Sequence, residues 1–216
     1  MAADQAAGLR RRHARQSAHH IHCFFNAAVS STLLMQALHQ QGQTVLLVDM
    51  HGRLFADQPA RSLFDWKQQL ARGQLHTWPQ PGGYGWYAPG IRLDTPHFQT
   101  ALRHYDCVLF DAGPIGNDIA LTPGALNTLV IEIEASTDSM MRAYRLLKTL
   151  SHAGNSPKIG LAGDAMACAH VLAACCHFLG QYFARDIYNA ARKDDALAAL
   201  AGRMTNEETH RMTRCK

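Results

Sequence analysis

The sequence predicts an α/β fold: a doubly wound, mostly parallel sheet flanked by helices. Three observations carry that prediction. Short runs that are apolar on both faces alternate with helix-like stretches, the pattern of parallel strands covered on both sides. Two of the runs end in aspartate, at Asp49 and Asp111. A third, Cys23 to Phe25, leads into a loop of small residues, Asn26 to Thr32. Ligands in doubly wound sheets sit at the carboxyl ends of the strands, so all three features fall on one edge.

The elements follow in order. Cys23 to Phe25 is the apolar end of a first strand, and Ser31 to Gln41 is a helix closed by Gly42, a C′ glycine. Thr44 to Val48 is a β-rich run. Residues 79–90 are rich in glycine and proline, and turn clusters flank the short run Gly85 to Tyr87. That run reads as an edge strand or loop on the same rim. Trp78, Tyr84, Trp86 and Tyr87 around it form either a binding patch or packing for the loop. Tyr105 to Phe110, Thr128 to Glu134 and Lys158 to Ala162 are further strands. In the helix Ser139 to Leu150, Met140, Ala143, Tyr144, Leu147 and Leu150 share a face, with Asp138 as N-cap. Ala165 to Leu179 is apolar but shorter than the ~20 residues a membrane span needs, so a buried helix is expected. Asp194 to Met204 places Leu197, Leu200, Ala201 and Met204 together, as a helix docked on the fold. Right-handed crossovers link such strands.

Composition agrees with one globular domain. The chain has 216 residues, 47% of them apolar and 18% charged. Net charge is +4, with Arg10, Arg11, Arg12 and Arg15 concentrated at the amino end. This basic arm touches acidic lipid or nucleic acid, or is a solvated helix end; a basic arm alone gives no general nucleic-acid surface. The six cysteines form no CxxC pair and read as buried, reduced thiols of a cytosolic protein. No apolar h-region marks a signal peptide. His19, His20 and His22 form an HHxH cluster, read as a metal site or as a solvated lead-in to the strand.

Strand, small-residue loop and helix start form the layout of a phosphate-binding loop, but its chemistry is missing. Such a loop needs glycines, so that backbone N–H groups approach phosphate, and a lysine for charge. Asn26, Ala27, Ala28, Val29, Ser30, Ser31 and Thr32 supply neither. Lys67, Lys148, Lys158 and Lys193 are the internal lysines, and none precedes a strand-to-helix turn. One lysine 4 Å from a phosphate is worth roughly 4 kcal/mol at an effective dielectric near 20. Asp49 and Asp111 read as relics of a nucleotide site or as strand-end turn residues. Thr32 reads as a magnesium ligand or a helix cap.

The stretches CFFNAAVSST, ALHQQGQTVLLVD, YDCVLFDAG and LVIEIEASTDSMMRAYRLLKTL, in that order, resemble the MinD/ParA-like P-loop ATPases. Within that group, Asp4-Gln5-Ala6-Ala7-Gly8-Leu9-Arg10 resembles the DQAxxLR activator motif of the FlhG (FleN, YlxH) family, regulators of flagellar number and placement. The resemblance implies the MinD/ParA-like fold over residues 19–204, an amino-terminal activator helix over 1–18 that folds on its partner, and a polar tail over 205–216. It also implies ATP and magnesium as cofactors. Here Asn26 stands near the first family lysine, and Ser30 and Ser31 near the final glycine and second lysine. His51 replaces the second aspartate of a DxD pattern. Nucleotide binding is therefore expected to be weak or absent, with no metal, no ATPase activity and no ATP-driven dimer.

What remains is an adaptor. The resemblance implies an FlhF-type GTPase as partner, stimulated by Gln5 orienting a water, with Leu9 as anchor and Asp4, Ala6 and Arg10 completing the contact. A FleQ-type transcriptional activator or the flagellar C-ring are further partners it implies. The expected location is the cytoplasm, peripheral at the cell pole through partners, with weak or absent membrane association and no nucleic acid. Two other readings stay open: an active MinD-like ATPase with an atypical loop, and a ParA-like DNA-associated protein.

Overall fold

The computed structural model describes residues 18–55, 62–79, 86–88, 91–92, 96–116, 121, 125–153, 157–191 and 195–214. The strands are β1 His19–Phe24, β2 Val45–Asp49, β3 Gln74–His76, β4 Trp78–Pro79, β5 Trp86–Ala88, β6 Ile91–Arg92, β7 Cys107–Asp111, β8 Leu126–Ile133, β9 Lys158–Gly163 and β10 Ile187–Asn189. The helices are α1 Ala28–Gln40, α2 Leu63–Ala71, α3 Pro96–Leu102, α4 Thr137–His152, α5 Ala165–Phe178, α6 Gln181–Ala184 and α7 Ala196–Arg214.

Seven strands form one sheet in the order β10-β9-β8-β1-β7-β2-β3, and every pairing in it is parallel. Helices cover both faces. One core layer joins Ile21, Cys23, Leu47 and Leu109 of the sheet to Leu34 and Leu38 of α1 and Leu200 of α7. On the other face Leu129, Ile131 and Leu161 meet Leu147 of α4 and Val171 of α5, while Leu46 and Val108 meet Trp66 of α2 and Phe98 of α3. This is the doubly wound α/β architecture the apolar runs predict.

Several local expectations shift. Residues 86–88 are the middle strand of a small antiparallel sheet, β4-β5-β6, rather than an edge. The packing of the aromatic side chains there lies outside the described residues. Ser136, not Asp138, caps α4 by accepting a hydrogen bond from the Ser139 amide at 3.1 Å, leaving Asp138 to pair with Arg142 at 3.2 Å. Helix α5 is half-covered rather than buried: Cys168, Val171 and Cys175 face the core, but Met166 and Phe178 are exposed. Helix α7 does not stop at Met204 and runs to Arg214. Cys176 is exposed, unlike Cys168 and Cys175, whose thiols burial pushes up to about 12 and about 11. Among the described residues, no helix is long and apolar enough to cross a membrane.

The largest change is at β1. The HHxH residues are not a solvated lead-in. They lie in the centre of the sheet, hydrogen-bonded on both sides, with His19, His20 and His22 all buried. Nor do they converge on a common point. His19 Nε2 lies 2.7 Å from Thr128 Oγ1, whereas His20 meets the Phe110 ring edge-on at 5.4 Å and His22 stacks on it at 4.8 Å.

One glycine controls how α5 begins. Gly163 ends β9 with φ +102°, which lets the next amide, of Asp164, reach the Ile133 carbonyl at 2.8 Å. Asp164 is thereby placed to cap α5, accepting from the Ala167 amide at 2.8 Å. A Cβ at Gly163 would collide with that same Ile133 carbonyl. Gly163→Ala is expected to cost about 1–3 kcal/mol from backbone strain alone, read as a lowered urea midpoint.

Candidate functional site

The carboxyl edge gathers four neighbouring strands, β8, β1, β7 and β2. Each delivers polar groups because its apolar run ends there. Asp111 closes β7 and is fully buried. Its Oδ1 accepts from Ser31 Oγ at 2.6 Å, a bond from the first turns of α1 to the strand end. Ser31, and not Thr32, is therefore the hydroxyl paired with the acidic strand end. Thr32 is not a cap either, since α1 starts at Ala28 with Ala27 as N-cap and no side-chain capping bond.

The residue that sequence reasoning missed is Arg53. Its guanidinium forks onto Asp111, with Nε 2.5 Å from Oδ2 and Nη2 2.6 Å from Oδ1. Nη2 also donates to the Phe25 carbonyl at 2.8 Å, and Nη1 to the Asn26 carbonyl at 3.0 Å. The Asp111 hydrogen bond holds the Arg53 pKa above its ordinary value, with the charges of Asp111, Asp49 and Glu132 adding to it. A cation thus stands at the edge where the sequence reading found none. It is bound to the protein itself and turned onto the loop's carbonyls.

Asp49 places that arginine. Fully buried at the end of β2, its Oδ1 accepts from the amides of His51 and Arg53 at 3.3 and 3.1 Å. Its Oδ2 accepts from those of Leu54 and Phe55 at 2.9 and 2.8 Å. The carboxylate curls residues 50–55 around itself, helped by Gly52 at φ +70°, and so aims Arg53 back across β2 toward β7. Asp49 thus holds the turn that follows its strand. His51 is exposed and its ring lies over Gly113, where a Cβ would come within 3.3 Å of Cδ2.

The loop itself is turned inward. Its Asn26 amide, which in a phosphate loop would face an anion, donates to Glu132 Oε2 at 2.8 Å. Asn26 Nδ2 donates to Glu134 Oε1 at 2.6 Å. None of residues 26–32 adopts positive φ, so the alternating backbone that lines up amides into an anion nest is not formed. Val29 is exposed and Ser30 half-buried.

ATP and magnesium therefore do not fit these residues. A triphosphate would meet Glu132 and Glu134 where it needs donors. A divalent ion on Asp111 would meet the guanidinium on the same two oxygens. Asn26, Ser31, Asp49 and Asp111 come together at this edge, but as a closed internal network. Asp4, Gln5, Ala6, Leu9 and Arg10 lie outside the described residues.

No protein-family model matches the chain, and no curated protein sequence matches it. Among solved structures, the chain is similar to the MinD cell division protein of Aquifex aeolicus, at 16% identity over 68% of this chain and 69% of that one, with a TM-score of 0.43. It is similar to a ParA family ATPase from Chlorobium tepidum TLS, at 15% identity over 87% and 91% of the two chains, with a TM-score of 0.44. It is also similar to the hydrogenase maturation factor HypB from Archaeoglobus fulgidus, at 10% identity over 95% and 98%, with a TM-score of 0.42.

Proposed function

We propose that this protein is a non-catalytic, FlhG-like adaptor that binds an FlhF-type GTPase through its DQAAGLR segment and stimulates GTP hydrolysis. The observation that carries the non-catalytic half is the Arg53 fork on Asp111, which engages both carboxylate oxygens together with the loop carbonyls of Phe25 and Asn26. The adaptor half rests on the sequence motif Asp4 to Arg10. Gln5 orients the attacking water, as a glutamine does in GTPases, while Asp4, Ala6, Leu9 and Arg10 hold the segment on its partner as an amphipathic helix. This activity requires no nucleotide on the sheet and no ATP-driven dimer. A FleQ-type activator or the flagellar C-ring is a second partner, and the protein works in the cytoplasm, reaching the cell pole through its partners.

The test is a GTPase assay with an FlhF-type GTPase, run beside calorimetry with Mg-ATP. The full chain should stimulate hydrolysis, deletion of residues 1–16 should abolish stimulation, and Gln5→Ala should reduce it at least tenfold without loss of binding. The calorimeter should record no heat. Equal stimulation by all three proteins overturns the adaptor reading, and tight Mg-ATP binding favours the ATPase instead.

A further inference from the structure

We infer that the groove between α4 and α5 is a docking site for an acidic amphipathic helix of another protein. The groove follows from one stripe of α4. Met140, Tyr144, Lys148 and His152 recur every four residues, one above another on a single helix face, and all four line it. The first half is a cavity of about 410 Å³ lined by Met140, Met141, Tyr144, His170, Val171 and Phe178 among others. The second half, about 700 Å³, is bounded by Lys148, His152, Tyr182 and Asp186. Tyr144 and Phe178, whose rings meet edge to face at 6.5 Å, wall both cavities, so the two lie side by side along α4. From Met140 to His152 the groove runs roughly 18 Å, about three helical turns.

Its floor is unusually bare. Phe178 is 69% exposed and Tyr182 86%, and Met141, which lines the same cavity as Phe178, is exposed too. A contiguous apolar patch of this kind marks an interaction site, unlike single exposed apolar residues. Methionine and aromatic side chains together suit the apolar face of a docked helix.

Charge selects the occupant. At the far end stand Lys148 and Arg185, the latter over the Tyr182 ring at 5.5 Å. Among the described residues, the one carboxylate lining that end, Asp186, is already paired with Lys158. Lys148 and the neighbouring Arg145 have no carboxylate partner among the described residues. An incoming helix therefore gains from acidic residues at that end. Two segments of this chain, residues 1–17 and 203–214, do not match in charge: the first holds Arg10, Arg11, Arg12 and Arg15 against Asp4, and the second three arginines against two glutamates. Charge complementarity at Lys148 and Arg185 thus assigns the groove to an acidic partner, a separate protein.

The test uses the full chain and a displayed library of 14-residue helices with apolar residues at i, i+3, i+4 and i+7 and all other positions varied. Enriched peptides should be net acidic. Labelled with fluorescein, they should bind about 30-fold more weakly to Phe178→Ser and about 10-fold more weakly to Lys148→Glu. Both sites are exposed, and circular dichroism verifies that the variants fold. The inference is overturned if no peptide is enriched, if enriched peptides are neutral or basic, or if the variants bind them unchanged. It is also overturned if another occupant is found. That would appear as a sedimenting dimer lost in Phe178→Ser, as tighter peptide binding after deletion of residues 1–17, or as Phe178-dependent binding to vesicles of 7:3 phosphatidylcholine and phosphatidylglycerol.

Discussion

Replacing Arg53 by alanine is expected to lower folding stability by about 3–5 kcal/mol, the usual cost of breaking a buried ion pair from one side. Asp111 has no exposed surface and Arg53 has 19% of its side chain exposed, so solvent cannot replace the lost guanidinium. Ser31 would keep its 2.6 Å bond to Oδ1, but Oδ2 would lose the Arg53 contact, and the Phe25 and Asn26 carbonyls would lose their donor. Arg53→Lys is expected to recover only part of the loss. An ammonium is a point charge without the planar fork that reaches two carboxylate oxygens and two carbonyls together. Adding Asp111→Asn to Arg53→Ala should recover stability relative to Arg53→Ala alone, because it removes the stranded charge and keeps a partner for Ser31. Urea denaturation of the four proteins measures this. A loss below about 1 kcal/mol for Arg53→Ala, the range of exposed ion pairs, would mean that the fork does not hold the edge closed.

The same arginine shows where sequence reading stops. The parallel sheet was legible because burial on both faces writes a continuous apolar run, and β2, β7, β8 and β9 lie within one or two residues of where those runs place them. The carboxyl edge was legible for the same reason, since the runs end in Asp49 and Asp111. Arg53 lies in a turn with no periodicity, and its reach to the end of β7 depends on the Asp49 carboxylate gathering four amides. A usable signal did exist. A buried strand-end aspartate without a metal needs a cation, and Arg53 is the charged residue four positions past the neighbouring strand-end aspartate. Searching for a lysine alone passed over it. The short strands β3 and β10, three residues each, are written by pairing with the sheet edges rather than by any pattern of their own. At Ser136 the error was two residues, because two good capping residues stand together and geometry chooses between them.

Acidification from pH 6.5 to 5 is expected to remove about 3 kcal/mol of stability through His20 and His22. The polar pattern that made these residues look solvated is reversed by β1 lying mid-sheet. Burial pulls His20 down to about 3, with the charges of His22 and His19 opposing protonation further. Burial pulls His22 down to about 4 despite the hydrogen bond to Asn127 Oδ1 at 3.2 Å, which favours the charged form. Asn127 Nδ2 donates to the Ala125 carbonyl at 3.0 Å, so Oδ1 is the acceptor and His22 Nε2 carries the proton. In the unfolded chain both rings titrate near 6.5. Between that value and the folded ones the unfolded state holds about two more protons, and stability falls by roughly 2.7 kcal/mol per pH unit. The contribution is complete above about pH 6.5 and is lost as pH drops toward 4. His20→Leu and His22→Leu should each remove about half of this slope, and the double variant nearly all of it, measured as urea midpoints between pH 5 and 7.5. Parallel profiles for the wild type and the double variant would show that the acid sensitivity comes from elsewhere in the sheet.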